Sequence, residues 1–437
     1  MTIEHLNADR GRHVHSPRHV DWLSASILCT PIVCVTLVSK LAIPPFGAQG
    51  IGISIPLILA AMAIGFLTGR LSLNPSRLAF YFALIAFFGF LQIGRSNPIS
   101  AMSVLLLAAL HLPYICAAPP RLEIRQNTVV FFLSVATFLA WCGIAQFLLK
   151  FLMDVRFLFP IENFVSPHFV VQRFNEQGVI EYGSTLYRSN GVFMLEPSFL
   201  SQLLAVAVIF ELCTFGRMRR VLVYGLAMVV TFAGTGFLIL ALCLPIFVMA
   251  KRRWSLVLLG ILGAVALIAV GDYLHLDRFI ARAHEFSSVG SSGFARFVGG
   301  FYFFDQFLWA DPLRTLFGFG AGTFKLYAIR AHYPVAEMAI SKMIFEYGLV
   351  GALAYFSFLF YCMSSSALPK VAIIATAMTL LLNGNYVPFA HGLALSLLVW
   401  TSSPGWNERA ARKPRADRTI EFAPTSDLPG KPSVSAT

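Results

Sequence analysis

The chain has 437 residues, of which 57% are hydrophobic and 12% are charged, and its mean hydropathy is +0.73. This composition excludes an ordinary soluble domain and a disordered chain, and it indicates a polytopic membrane protein. The formal net charge is +12. Its cations are dispersed among many short segments instead of lying on one folded face, which argues against nucleic-acid binding.

Apolar runs long enough to cross a bilayer recur along most of the chain. A hydrocarbon core about 30 Å thick requires roughly 20 helical residues, and backbone in lipid must pair within its own helix. We therefore predict an all-α bundle of twelve transmembrane spans. The predicted spans are 22–43, 51–69, 78–94, 98–118, 128–150, 195–215, 220–233, 236–250, 254–271, 336–362, 369–383 and 388–401. Two regions stay open: 221–250 is one long helix or two broken at Gly234-Thr235-Gly236, and 369–401 poses the same choice at Asn383-Gly384-Asn385.

The distribution of lysine and arginine orients these spans. With both termini cytoplasmic, each of the seven predicted inner segments contains at least one cation, as the positive-inside tendency requires. These cations are Arg10, Arg12 and Arg18; Arg70 and Arg77; Arg121 and Arg125; Arg217, Arg219 and Arg220; Lys251, Arg252 and Arg253; Lys370; and those between Arg409 and Arg418. The same orientation places two long polar stretches, 151–194 and 272–335, outside. We expect a cytoplasmic tail (1–21), a transmembrane domain (22–401) and a disordered cytoplasmic tail (402–437).

Several other kinds of site are disfavoured. The seven cysteines lie in or beside predicted spans, so we predict neither a disulfide framework nor a zinc site. The four histidines of the first twenty residues are interpreted as part of a solvated tail that binds no metal. The sequence lacks the motifs of P-loop hydrolases, zinc proteases and serine hydrolases. The glycines at 318, 320 and 322 lack the βαβ context of a nucleotide fingerprint and predict a turn or a reentrant segment.

A series of short motifs connects the two outer stretches. They are Arg188-x-Asn-Gly-x-Phe-x-x-Glu-Pro-Ser, Gly234-Thr235-Gly236, Arg296, Leu316-Phe317-Gly318-Phe319-Gly320-Ala321-Gly322, His332 and Phe345-Glu346-Tyr347-Gly348-Leu349-Val350-Gly351. In this order, over roughly residues 185–355, the chain resembles the bacterial O-antigen ligase and Wzy-type polysaccharide polymerase superfamily. The Phe-x-x-Glu-Pro-Ser form favours the polymerase branch. So does Tyr333 after His332, where ligases commonly have Asn.

The resemblance implies a metal-independent, inverting glycosyl transfer, without a cofactor, at the periplasmic face of the bacterial inner membrane. The donor would be an oligosaccharide on undecaprenyl diphosphate, and the acceptor would be a sugar hydroxyl of another lipid-linked repeat. Membrane lipid, flippases and chain-length regulators are the implied partners. Arg188, Arg296 and Arg282 are implied to bind the donor, because guanidinium groups hold diphosphate oxygens in bidentate fashion. His332 would accept the proton of the acceptor hydroxyl, while Glu196 would orient the acceptor, pair with an arginine or act as base.

Each of these residues also has a structural interpretation. Arg188 suits a headgroup anchor, Arg296 a solvated helix face, and His332 a cap or packed loop residue. Arg278 and Arg282 suit the membrane interface, although Arg282 and Gly293 fit the Arg-x10-Gly pattern of the polymerases. Arg173 and Gly183 fall one residue short of that pattern. Glu346 is predicted to be a structural partner inside the bundle.

Other functions remain open besides a polymerase. The first alternative is an O-antigen ligase, which would transfer glycan to a lipid A-core or another acceptor. The second is a secondary transporter or flippase, because twelve spans with both ends inside describe many transporters. Transporters concentrate ionisable residues near the midplane, whereas the ionisable residues of this chain gather in the predicted outer loops.

Overall fold

The computed structural model describes residues 22–44, 51–93, 100–119, 122–172, 174, 179, 187–255, 260, 263, 265, 287–384 and 387–402. Helix makes up 70% of the structure and strand 3%, which confirms the all-α class. The described helices are α1 (Trp22–Thr36), α2 (Ser54–Leu67), α3 (Pro75–Phe90), α4 (Ala101–His111), α5 (Leu122–Leu149), α6 (Val155–Leu158), α7 (Pro160–Phe164), α8 (Pro197–Cys213), α9 (Met218–Val230), α10 (Gly234–Lys251), α11 (Ser292–Phe297), α12 (Gly299–Phe307), α13 (Pro312–Phe317), α14 (Phe324–Ala328), α15 (Ala339–Ser364), α16 (Lys370–Leu381) and α17 (Pro388–Ala394). Two short strands, β1 (Ser72–Leu73) and β2 (Cys116–Ala117), pair antiparallel.

The predicted count of twelve spans is not confirmed. Among the described residues, three helices are long and apolar enough to cross a membrane: Glu123–Leu149 within α5, α10 and α15. Seven further apolar helices have 10 to 17 residues, so they rise at most about 26 Å at roughly 1.5 Å per residue. Each of eleven predicted spans, from 22–43 to 236–250 and from 336–362 to 388–401, contains a helix. Span 254–271 lies almost wholly outside the described residues, as do Arg173, Arg278, Arg282 and most of both predicted tails.

Both open regions contain two helices. The chain turns at Thr231–Ala233, between α9 and α10, and Gly234 begins α10 instead of breaking it. Phe232 adopts a positive φ of 49° at this turn, and the Thr231 side chain accepts a hydrogen bond from the Ala233 backbone. Helices α16 and α17 are separated at residues 382–387, where the sequence predicted the break.

Helix α8 lies at the centre of the bundle. Its residues from Pro197 to Leu212 are all buried, and α5, α9, α10 and α16 pack against it. A helix that is apolar on every side requires such surroundings. Large apolar side chains are nevertheless exposed on the outer helices, including Phe82, Phe90, Leu105 and Leu353. The three helices that are long enough to cross a bilayer also expose apolar side chains, namely Phe138 on α5, Leu242 on α10 and Leu353 on α15. Exposed apolar surface on such helices indicates membrane association.

A buried arginine fastens one end of the bundle. The Arg77 guanidinium donates to the carbonyl oxygens of Cys116, Val399 and Cys362, and to the hydroxyls of Ser365 and Ser402. Four of these groups belong to the carboxyl ends of helices or lie just beyond them, where backbone carbonyls lack intrahelical partners. Arg77 therefore joins α3 to the end of α15 and to the end of the helical turn Leu395–Val399 that follows α17.

The second polar stretch folds into short helices at the other end of α15. Helices α12 and α14 contribute Phe303 and Phe324 to an aromatic cluster on Phe345, and the turn after α13 contributes Phe319. Gly348 interrupts α15 with a φ of 72°. The interruption leaves the carbonyls of Phe345 and Glu346 to accept hydrogen bonds from the backbone of Phe319 (2.8 Å) and Gly320 (2.9 Å). The glycine-rich segment is thus a turn fixed against a broken helix.

Candidate functional site

A cavity of about 660 Å³ opens at the end of the bundle opposite Arg77. It is lined by the amino-terminal ends of α2, α4, α8, α15 and α17 and by the turn after α16, with Arg296 and Lys325 from the second polar stretch. These are the segments that adjoin the predicted outer loops. Helix amino termini carry partial positive charge, so five of them at one cavity favour a bound anion.

Glu196 stands at the start of α8 and faces this cavity. It occupies the N-cap position, with φ −139° and ψ 153°, but its side chain does not cap the helix. Instead Oε2 accepts a hydrogen bond from the Ser198 hydroxyl at 2.9 Å. The same oxygen lies 3.3 Å from Arg296 Nη2. Pairing with an arginine was one of three roles that the sequence left open for Glu196.

Arg296 lies in the last turn of α11 and also lines the cavity. The Ser291 side chain caps this helix by accepting from the Phe294 backbone at 3.0 Å. The Ala295 carbonyl accepts from the Ala336 backbone at 2.9 Å, which ties α11 to the segment before α15. The Arg296 side chain is 26% exposed and that of Glu196 is 15% exposed. The pair is therefore partly desolvated, and its attraction is stronger than that of a surface pair.

Three further charged residues line the cavity beside this pair. Lys342 Nζ lies 3.5 Å from Glu337 Oε2, and Lys325 Nζ lies 3.9 Å from Glu337 Oε1. Lys342 also pairs with Glu346 Oε1 at 3.3 Å. Glu346 is fully buried and accepts from the Phe324 backbone, in the structural position that the sequence predicted for it.

Sequence reasoning did not select Lys325, Glu337 or Lys342. A signal for two of them was present, because Glu337 and Lys342 fall inside the predicted span 336–362. Ionisable residues within a span are expensive and are commonly functional. The four-residue spacing of Lys342 and Glu346 on a helix also predicts their pairing. Lys325 carries no such signal, since it lies in a short helix of a polar loop.

Arg188 is half-buried and does not line the cavity. It precedes a turn that is fastened to α5 by Gln146, whose Oε1 accepts from the Ser189 hydroxyl and from the backbones of Asn190 and Gly191. Gly191 has a φ of 66°, a conformation that costs glycine little. The Asn-Gly of the motif therefore shapes the backbone between Arg188 and Glu196.

His332 is exposed and likewise does not line the cavity. Its backbone N–H donates to Gln306 Oε1 at 3.1 Å, which holds the loop against α12. The structure thus brings Glu196 and Arg296 together and places Arg188 and His332 elsewhere. Arg282 lies outside the described residues.

The glycine-rich turn forms one edge of the cavity through Gly322. Gly318, Gly320 and Gly322 all have positive φ. A Cβ on Gly318 would overlap the backbone at Glu346, and one on Gly348 would overlap the backbone at Leu316. These glycines are required for close backbone packing, and they form the turn that the sequence predicts.

No protein-family model and no curated protein matches the chain.

Proposed function

We propose that this chain is a membrane glycosyltransferase that polymerises lipid-linked oligosaccharide repeats, as in O-antigen, capsule or exopolysaccharide synthesis. The donor is an oligosaccharide on undecaprenyl diphosphate, and the reaction is a metal-independent inverting transfer at the periplasmic face of the inner membrane. The observation that carries the proposal is the partly desolvated Arg296–Glu196 pair, which lies in a cavity formed by the amino-terminal ends of apolar helices.

The leaving group determines which residues the reaction needs. Negative charge builds on the diphosphate as its bond to the sugar breaks, and cations held at that position stabilise the transition state. One nitrogen of the Arg296 guanidinium, Nη2, donates a hydrogen bond to Glu196. A guanidinium has five N–H donors in a rigid plane, so its other donors can hold diphosphate oxygens. Glu196, itself held by Ser198, orients the guanidinium before the substrate binds.

Lys342 adds a cation that is only 3% exposed. Three cations, Arg296, Lys325 and Lys342, line the cavity together with two carboxylates, Glu196 and Glu337. A third carboxylate, that of the buried Glu346, pairs with Lys342 but is not part of the lining. The rest of the lining is largely apolar and includes Ile55 and Leu106. A cationic region beside apolar helix ends suits a ligand that joins a diphosphate to a prenyl chain.

The position of the ionisable residues disfavours a transporter. Lys342 is the fourth residue of α15 and Glu346 is the eighth, so both lie within about 12 Å of the amino-terminal end of this 26-residue helix. Transporters place coupling and substrate sites near the midplane of the bilayer. Here the charged residues lie at the helix end, as expected for chemistry at the membrane surface.

Glycan analysis after gene deletion tests the proposal. Loss of a polymerase leaves single repeat units on lipid and at the cell surface and abolishes long chains. Loss of a ligase instead strands long chains on undecaprenyl diphosphate. Gel separation of surface and lipid-linked glycan distinguishes these outcomes. Unchanged chain length together with intact attachment would exclude both.

A further inference from the structure

We propose that Glu337 is the general base that removes the proton of the acceptor hydroxyl. This assignment rests on the proposed glycosyl transfer and names the residue that activates the nucleophile. Of the described residues that line the cavity, Glu196 and Glu337 are the two whose side chains are carboxylates, and no histidine is among them. A base must come within hydrogen-bond reach of the proton that it abstracts, so position is the first criterion.

One oxygen of the Glu337 carboxylate accepts no hydrogen bond from the described residues. Within the described part of the chain, its Oε1 is buried and takes part in no hydrogen bond, and the Lys325 ammonium lies 3.9 Å away. A buried carboxylate oxygen without a hydrogen bond is costly. The Glu337 side chain as a whole is 29% exposed and lines the cavity, so a substrate hydroxyl bound there can approach the carboxylate. Glu196 is less suited, because the Ser198 hydroxyl and Arg296 already engage its Oε2.

The backbone on both sides of Glu337 is fixed. Ala336 donates to the Ala295 carbonyl of α11, and Ala339 donates to the Asn383 carbonyl after α16. Gly384 packs so closely on the Glu337 carbonyl that a Cβ there would lie 2.7 Å from its oxygen. The carboxylate is therefore presented from a backbone held at two sides, which is what preorganised catalysis requires.

The proposed reaction is a direct displacement at the anomeric carbon. The acceptor oxygen forms a bond to the anomeric carbon while its proton moves to the Glu337 carboxylate. The bond from the anomeric carbon to the diphosphate oxygen breaks, and its electron pair leaves with the diphosphate. Protonation also removes the negative charge that Glu337 presents to Lys325 and Lys342. The Lys325 ammonium is then released to the leaving diphosphate as its charge appears, while Lys342 keeps its pair with Glu346. Glu337 later returns the proton to water.

Replacement of Glu337 by Gln in the purified full-length protein tests the assignment. The amide keeps the shape but accepts no proton, so we expect turnover to fall about a hundredfold with an unchanged KM for the lipid-linked donor. Asp311→Asn is the matched control, because Asp311 is a carboxylate of the neighbouring polar stretch that pairs with Arg314 and does not line the cavity.

Azide separates a missing base from a damaged cavity. Azide attacks the anomeric carbon without losing a proton, so it should restore donor cleavage by Glu337→Ala and yield an inverted glycosyl azide. Failure of azide to restore cleavage, or full sugar transfer by Glu337→Gln, would overturn the assignment. Restoration of donor cleavage by azide in His332→Ala instead would assign the base to His332. An inactive wild-type protein would count against the glycosyltransferase itself, which distinguishes the two failures.

Discussion

Replacing Arg296 by Ala should lower turnover by about a hundredfold, or roughly 3 kcal/mol of transition-state stabilisation. At the observed 3.3 Å between Nη2 and Glu196, two unit charges attract by about 5 kcal/mol when the effective dielectric constant is near 20. A diphosphate oxygen at a similar distance experiences a comparable attraction. Desolvation and the existing pair with Glu196 offset part of it, which reduces the expected effect to the stated value.

A second variant distinguishes two effects of the substitution: loss of the Arg296 charge, and loss of the cation that pairs with Glu196. Arg296→Ala leaves Glu196 without its arginine, and that unbalanced carboxylate could itself repel a diphosphate. Combining Arg296→Ala with Glu196→Gln removes the unbalanced charge. We expect the double variant to remain slow, since the donor has still lost its guanidinium. Arg296→Lys should recover activity only in part, because an ammonium cannot reproduce the planar fork.

The assay uses purified protein in detergent or nanodiscs, a lipid-linked donor, and chain length read on gels. Arg314→Ala is the matched control: Arg314 belongs to the same polar stretch, but it pairs with Asp311 at 3.1 Å on the surface and is 44% exposed. Its loss should leave the rate unchanged. Restoration of the full rate in Arg296→Ala with Glu196→Gln would show that Arg296 merely neutralises Glu196.

Three further predictions concern the scaffold. Lys40→Met leaves Glu162 unpaired in a buried ion pair and should lower the free energy of unfolding by about 3 kcal/mol; adding Glu162→Gln should recover most of the loss in thermal unfolding. Gly348→Ala forces a side chain into a φ of 72° against the Leu316 backbone and should cost at least about 1–3 kcal/mol, whereas Gly225→Ala, with open space around it, should be neutral or stabilising. Cysteine labelling should reach positions near 175 and 300 from outside and positions near 73, 123, 218 and 252 from inside; cytoplasmic labelling of position 300 would invert the proposed site.

The sequence predicts the helices well because apolar runs determine them directly. It predicts their ends less well, since tertiary contacts decide where each helix stops. Span 22–43 is the clearest case. Its helix ends at Thr36, and the buried Lys40 then turns aside to pair with Glu162 and to donate to the Val192 carbonyl. The conformation of the turn after α9 is also hard to predict from the sequence. Phe232 has a positive φ there, a conformation that is usually signalled by a glycine.

The sequence predicts only some of the residues of the candidate site. Glu196 and Arg296 were selected from motifs, and the fold brings these residues, 100 positions apart, to 3.3 Å. Neither Lys325 nor Glu337 belongs to a motif. Glu337 could have been found as an ionisable residue inside a predicted span, whereas only the packing of α14 beside α15 brings Lys325 to the cavity. Arg188 illustrates the converse, since its motif contains Asn190 and Gly191 for a turn that Gln146 holds. Sequence alone does not separate residues that shape a backbone from residues that face a ligand.

The pairing of charges in the cavity predicts how the reaction responds to chelation of divalent ions. Both lining carboxylates already lie beside cations: Glu196 beside Arg296, and Glu337 beside Lys325 and Lys342. Magnesium is bound through oxygen ligands such as carboxylates, so here it would have to compete with ammonium and guanidinium groups that are already in place. Those groups supply the positive charge that a metal supplies to other diphosphate leaving groups. We therefore expect an excess of EDTA to leave the rate of the purified protein unchanged. If activity were lost with EDTA and restored by magnesium, these cations would not suffice for the leaving group, and the proposed mechanism would be wrong.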